Sequence, residues 1–412
     1  MIRTKHFSAA VLGLVLAATA CQNDKLNRPF NVTPVDPLFD RYVSMGNSIT
    51  AGFQSGGIND STQSQSYAVL LARAMHAPFF TPLMNKPGCP PPYTNVFTGA
   101  RVGGGTPTTC ALRKTQAVPP PFISNTAVPG AEVNDVYENL PPRANSLTQF
   151  FLGGLTQVQM AAKAQPTFIS IWIGNNDVLG AATSSTNGGD TTLITPTALF
   201  NARYDSMLTA VDGLGARGGV LVGVANVTAI PYFSAGATYW AIKNKLALPD
   251  TFPTVFTVSA NCAPIATGIP GARGDSVLVP FPYGAGLLGA AQAGAPRNLD
   301  CADTVARVVV PSELVKMVTA VTAFNAHISG AATARGWAYL NPNPTLDSLH
   351  LVPTAVRPFP RIGQPCSANP PPFGTAFSCD AVHPSAATHR LIAQKLRDAI
   401  NAAYTTAIPA IP

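Results

Sequence analysis

Residues 167–173 read Thr167-Phe168-Ile169-Ser170-Ile171-Trp172-Ile173, and Gly174-Asn175-Asn176-Asp177 follow at once. An unbroken apolar run of this length, rich in β-branched and aromatic residues and closed by a glycine, is the pattern of a strand buried on both faces. Such strands belong to parallel sheets covered by helices on each side. The reading of the whole chain works outward from this strand.

Upstream, Arg41–Met45 is a short strand-like run ending at Gly46, and 66–75 carries a helical pattern with Tyr67, Leu70, Leu71 and Ala74 on one face. A helix-like stretch from Ala144 to Lys163 leads into the central run. Downstream the cycle repeats. Pro196 opens a helix to about Leu214, Gly219–Ala225 is a second buried run, and Pro311–Arg335 is a long amphipathic helix entering Trp337–Leu340. A last helix is expected from Pro384 to Ala403. Strands alternating with helices predict an α/β fold with one parallel sheet and helices on both faces. The stretches 231–307 and 341–379 break the alternation and are read as loop insertions or a small cap, within a domain spanning 40–405.

Composition narrows the class. The 412 residues are 46% hydrophobic, which excludes disorder, while only 11% are charged and Pro and Gly together fill 73 positions, so long, ordered, weakly charged loops are expected. The net charge of +7 is spread along the chain without a basic run, which argues against a nucleic-acid partner. Arg3 and Lys5 before the apolar stretch 7–20 form a secretory leader over residues 1–20. Leu16-Ala17-Ala18-Thr19-Ala20-Cys21 resembles the bacterial lipoprotein signal, with Ala18 where leucine is commonest; the resemblance implies that Cys21 is lipidated, and Gln22 after it implies the outer membrane. Residues 21–39 then form the lipidated end and a polar tether. No later stretch reaches 18 uninterrupted apolar residues, so no transmembrane helix is expected in the mature chain.

Six cysteines remain: Cys89, Cys110, Cys262, Cys301, Cys366 and Cys379. An even number in an exported chain implies three disulfides; fifteen pairings exist, of which the sequence-adjacent set would staple three loop-rich segments. None has metal-site spacing and the six histidines are scattered, so neither metal nor cofactor is expected.

Four short motifs fall at strand ends or helix starts. Gly46-Asn47-Ser48-Ile49-Thr50 puts Ser48 at the carboxyl edge of the sheet, where open α/β folds build their sites. In Asn125-Thr126-Ala127-Val128-Pro129-Gly130-Ala131, Gly130 permits close backbone approach to a ligand. Ile173-Gly174-Asn175-Asn176-Asp177 brings an asparagine amide to the same edge, with Asp177 as a cap beside it. Asp380-Ala381-Val382-His383-Pro384 lets a carboxylate orient an imidazole from one loop. Alone, each is compatible with an ordinary turn. Asp347-Ser348-Leu349-His350 has the same spacing, but only His383 is followed by a proline and an amphipathic helix.

Taken together and in this order, the motifs resemble the SGNH branch of the GDSL hydrolases over roughly residues 40–404. Asn47 and Ile49 depart from the Gly-Asp-Ser-Leu that names that family. The resemblance implies a flavodoxin-like three-layer α/β/α sandwich. It implies catalytic roles for Ser48, Asp380 and His383, and an oxyanion hole of Ser48, Gly130 and Asn176. The expected function is hydrolysis of carboxylic esters (lipid, short-chain or acetylated glycan esters) by an esterase or lipase. The alternatives are a carbohydrate O-deacetylase of the same family and a non-catalytic envelope binding lipoprotein.

Overall fold

The computed structural model describes residues 33–115, 122–141, 144–246 and 252–411. Arg3, Lys5, Cys21 and most of the expected tether lie outside them. Four parallel strands form the central sheet: β1 (Tyr42–Gly46), β2 (Phe168–Trp172), β3 (Gly218–Val222) and β4 (Ala338–Leu340), side by side in that order. On the free side of β1 the segment 124–128 runs alongside without regular strand geometry. Ser44 and Asn125 form a parallel bridge, and the Thr126 and Val128 N–H groups donate to the carbonyls of Ser44 (2.9 Å) and Gly46 (3.1 Å). With that segment counted, the order is second, first, third, fourth, fifth, the flavodoxin-like winding.

Side chains alternate across the sheet and so build two cores. Val43, Met45, Ile169, Ile171 and Leu221 face α2 (Gln157–Ala164), α3 (Asn176–Thr183), α4 (Thr197–Asp212) and α5 (Pro311–Arg335). Tyr42, Phe168, Trp172, Val220 and Val222 face α1 (Tyr67–Ala74) and α6 (Ala386–Tyr404). The expected three-layer α/β/α sandwich is the fold of the chain. The rings of Phe200 on α4 and Phe324 on α5 stack at 3.7 Å between centroids. The polar residues within the strands are satisfied inside the second layer: Tyr42 Oη pairs with Ser170 Oγ at 2.7 Å, and Ser170 Oγ donates to Ser44 Oγ at 2.9 Å.

Element boundaries differ from the sequence reading at three places. The helix expected over 144–163 is two, Ser146–Leu152 and α2. Gly153 and Gly154 turn left-handed (φ 65° and 87°), and Thr156 with Gln159 forms a capping box that restarts the helix. The last helix starts at Ala386, because Ser385 Oγ accepts the Thr388 N–H at 3.3 Å; Pro384 precedes that cap. At the end of the expected tether, Phe39 is fully buried in the second core, so the folded body begins before residue 40.

The first insertion carries two two-stranded sheets, Phe233–Ala235 with Leu278–Pro280 and Phe256–Val258 with Arg297–Leu299, and helices Gly236–Lys243 and Phe281–Gln292. Its own core of Tyr239, Phe256, Leu288 and Leu299 is closed by Phe359 of the second insertion. Disulfides join Cys89 to Cys110, Cys262 to Cys301 and Cys366 to Cys379. No described helix is long and apolar enough to cross a membrane.

Candidate active site

The winding of the sheet reverses between β1 and β2, and it is there, beyond the strand ends, that an α/β sheet opens a crevice. The last residues of these strands, Gly46 and Trp172, are paired in register. A Cβ on Gly46 would lie 2.4 Å from the Trp172 carbonyl oxygen, so only glycine lets the chain leave β1 this close to its neighbour. Asn47 then caps a one-turn helix, its Oδ1 accepting the Ile49 N–H at 3.1 Å, and Ser48 occupies the first helical position. A first-position N–H has no acceptor within its own helix. Ser48 thus presents both hydroxyl and amide at the crevice.

His383 meets it from the other end of the sequence. Its Nε2 lies 2.9 Å from Ser48 Oγ, and its Nδ1 lies 2.8 Å from Asp380 Oδ2. The Phe53 ring packs at 4.9 Å against the imidazole. Asp380 accepts at both oxygens: Oδ1 from the N–H groups of Val382 (3.0 Å) and His383 (2.9 Å) and from Ser378 Oγ (3.0 Å), Oδ2 also from the Gly56 N–H (2.6 Å). Burial by itself raises a carboxyl pKa, but His383 and these N–H donors outweigh it and hold Asp380 at about 2. The carboxylate is therefore ionised at neutral pH. Ala381 within this loop is fully buried at φ 63°. It packs with Phe97, from the segment closed by the Cys89–Cys110 bond, and with Phe281 and Phe373, one from each insertion.

The rival pair lies elsewhere. His350 hydrogen-bonds through Nε2 to the Ala229 carbonyl and sits with Asp347 on the exposed face of the helix Asn343–His350. His389, on α6, is a histidine the sequence reading passed over. It is fully buried and accepts the Tyr67 N–H at Nδ1 (3.3 Å); burial, helped by nearby His383, presses its pKa down to about 3, which leaves it neutral.

Asn176 opens α3 immediately after the β2 exit. Its Nδ2 donates one hydrogen to the Ala131 carbonyl at 2.8 Å, leaving the second for a ligand, and it shares the walls of one cleft with Ser48 and His383. Gly130, at φ 78°, is exposed and is not among the walls of that cleft; it lines a neighbouring polar hollow with Glu132, Asp135 and Asn145. Asp177 is buried behind both: its carboxyl accepts the Val133 N–H (3.1 Å) and the Thr195 hydroxyl (2.9 Å). Burial, then repulsion from Glu132, pushes its pKa up to about 7. The residue pair 176–177 therefore grips the Gly130 loop at two points.

The cleft beside Ser48 encloses about 910 Å³, its open mouth included. Its walls are almost wholly apolar, with Trp172, Leu179, Ile230, Leu340, Leu346 and Ile392 foremost. Among the described residues no group of three or more His, Cys, Asp or Glu side chains is arranged to hold a metal ion.

Sequence reasoning missed the partners that fix Asp380. Gly56, Ser55 and Ser378 lie on loops with no motif, and Gly56 is 324 residues from the carboxylate it binds.

No family model matches the chain, and no curated protein matches it. Solved structures do. A catalytic mutant of an acetylxylan esterase from Geobacillus stearothermophilus matches over 88% of this chain and 94% of that one, at 11% identity and a TM-score of 0.37. An alpha/beta hydrolase from the metagenome of Lake Arreo, Spain, matches over 90% and 98%, at 12% identity and a TM-score of 0.38. A protein described as a GDSL-like lipase from Parabacteroides merdae matches over 90% and 99%, at 11% identity and a TM-score of 0.36.

Proposed function

We propose that the protein is a serine hydrolase of carboxylic esters, an esterase or lipase. The observation that carries this reading is the unbroken hydrogen-bonded line from Ser48 Oγ through His383 to Asp380. A serine hydroxyl is a weak nucleophile until a base removes its proton, and a neutral imidazole held in one tautomer by a carboxylate is that base. Ser48 Oγ attacks the ester carbonyl carbon as His383 Nε2 takes the proton. The resulting oxyanion is met by the N–H groups of Ser48 and Gly130 and by the free amide hydrogen of Asn176. Collapse expels the alcohol, which takes its proton from His383, and water repeats the sequence on the acyl-enzyme.

The apolar cleft is the acyl site in this reading. Its walls favour acyl groups well beyond acetyl, since each buried methylene contributes about 0.8 kcal/mol. One observation favours the second reading, an O-deacetylase of glycans: the hollow beside Gly130 is lined by Glu132, Asp135, Asn145, Thr192 and Thr195, groups able to bond sugar hydroxyls. We further propose that the chain is exported and anchored to the outer membrane through Cys21, which rests on the leader sequence alone.

Hydrolysis of nitrophenyl esters of about two to sixteen carbons by the wild type and by Ser48→Ala tests both readings. Activity lost in the variant and rising with chain length supports the lipase-like esterase, and a peak at acetyl supports the deacetylase. Equal rates in the two proteins reject a serine mechanism.

A further inference from the structure

Arg101 touches none of the reacting atoms, yet an unbroken line of contacts runs from it to Ser48. It ends the short strand Ala100–Arg101, which pairs with Tyr93–Asn95 inside the segment closed by the Cys89–Cys110 bond. The side chain is 7% exposed and lies over the Tyr93 ring, Cζ at 3.7 Å from the centroid. Its Nη1 spends both hydrogens on backbone carbonyls, Gly56 at 2.8 Å and Pro91 at 2.6 Å. The Gly56 N–H is the donor that reaches Asp380 Oδ2 at 2.6 Å, and that oxygen also bonds His383 Nδ1.

The two bonds of Gly56 belong to the two peptide planes that flank its Cα. Holding the carbonyl plane restricts where the N–H plane can point. Gly56 sits at φ 64°, and a Cβ there would come within 2.4 Å of Tyr93 Cε2, so the ring that supports Arg101 also walls Gly56. On the other flank, Ser55 is pinned by its carbonyl accepting the Tyr93 N–H (2.7 Å), by its N–H donating to Ser378 Oγ (2.8 Å), and by its Oγ accepting the Cys379 N–H (3.1 Å). Asp380 Oδ1 accepts three donors, and Oδ2 is held between His383 Nδ1 and the Gly56 N–H, the one bond to it among the described residues that comes from outside the 378–383 loop.

We propose that Arg101 is a positioning residue for the Ser48–His383–Asp380 line, acting through the Gly56 peptide; the proposal rests on the serine-hydrolase reading. Removing the cation frees the Gly56 carbonyl, lets the Gly56–Gly57 peptide tilt, and through the Gly56 Cα shifts the N–H that orients the carboxylate holding the imidazole. Substrate contacts are unaltered, so the loss falls on turnover. A displacement of this kind, near 1 Å, costs up to about 100-fold in rate.

The test compares the full chain with its Arg101→Gln, Arg101→Lys and Ser48→Ala variants in three measurements: kcat and KM on a nitrophenyl ester, thermal melting, and the downfield proton resonance of the imidazole Nδ1–H. Arg101→Gln is expected to lose about 10- to 100-fold in kcat, with KM nearly unchanged and the downfield resonance broadened or absent. Arg101→Lys, which keeps a cation and donors of its own, is expected to fall between that variant and the wild type in both. A folded Arg101→Gln with wild-type kcat overturns the proposal, and so does a lowered kcat beside an unaltered resonance. If Arg101→Gln does not fold, Arg101→Lys decides: a reduced kcat with a shifted resonance supports the role, and wild-type values of either overturn it. Ser48→Ala separates the two levels. If it stays active, the serine-hydrolase reading fails; if it is inactive beside a fully active Arg101→Gln, only the role of Arg101 fails.

Discussion

Gln157, the first residue of α2, exchanges two hydrogen bonds with the backbone of Gly46: its Oε1 accepts the Gly46 N–H and its Nε2 donates to the Gly46 carbonyl, both at 2.8 Å. The side chain is fully buried and serves as a peptide partner at the end of β1, two residues before Ser48. Gln157→Leu keeps the volume and removes both bonds. Leaving the buried N–H unpaired costs about 1–3 kcal/mol, and urea denaturation should register a loss of that size. Turnover should fall several-fold, because the Gly46 peptide sets where the Ser48 turn begins.

Asn176→Ala should leave the protein folded and reduce kcat by about 10² to 10³, the usual cost of one oxyanion donor, with a much smaller change in KM. An unaltered rate on a nitrophenyl ester would remove Asn176 from the site.

Stability should depend on pH through carboxyls shifted in opposite directions, Asp177 and Asp380 most of all. Asp177, raised to about 7, is protonated in the folded protein while the unfolded chain, titrating near 4, has already released its proton. Between those values the folded state binds more protons, so stability falls as pH rises from about 4 to 7, on the order of 1.4 kcal/mol per unit. Asp177→Asn should remove its share of that decline, since an amide can accept from Val133 and donate to Thr195, leaving the smaller share of Asp135, which burial raises to about 6. Denaturation curves at pH 5 and pH 8 for the two proteins measure the difference. Asp380, held at about 2, acts the other way: its contribution is complete above about 4 and is lost as pH falls from there toward 2.

The bond between Cys366 and Cys379 ends one residue before Asp380, and the Cys366 N–H donates to the Thr94 carbonyl at 2.8 Å. Replacing both cysteines by serine should cost up to about 3 kcal/mol, the value for a loop of this length, and lower kcat more than it changes KM. A double variant with wild-type turnover would show that the neighbouring hydrogen bonds alone hold the Asp380 loop.

Much of this architecture is legible in the chain because its signals are local. The apolar run at 168–172 and the start of α5 at Pro311 are each decided by neighbours within a few residues, and these two observed elements begin and end within one residue of the sequence reading. Ser48, Asn176 and His383 stand out because each follows a strand or precedes a helix in a short polar motif. The break at Gly153-Gly154 was hidden by apolar residues that keep a helical spacing on both sides of it. The supports of Asp380 were hidden for a different reason. Gly56, Ser55 and Arg101 act through backbone atoms or on backbone atoms, and their partners are brought near only by the folded insertions. A peptide N–H carries no residue-type signature in a sequence.

The order of groups along the chain has a consequence for how activity arises. The hydroxyl sits at residue 48 and its base at residue 383, joined across 335 positions and locked by a loop that itself must meet residues 55 and 56. In the proposed mechanism, every intermediate of synthesis that stops short of residue 383 holds the Ser48 alcohol without its proton acceptor. If the proposed mechanism holds, hydrolytic competence waits on the meeting of the loop 378–383 with residues 48, 55 and 56. A product cut short at its final helix would keep Ser48, Asp380 and His383 in the chain but lose Thr388, Ile392 and Lys395 from the cleft walls.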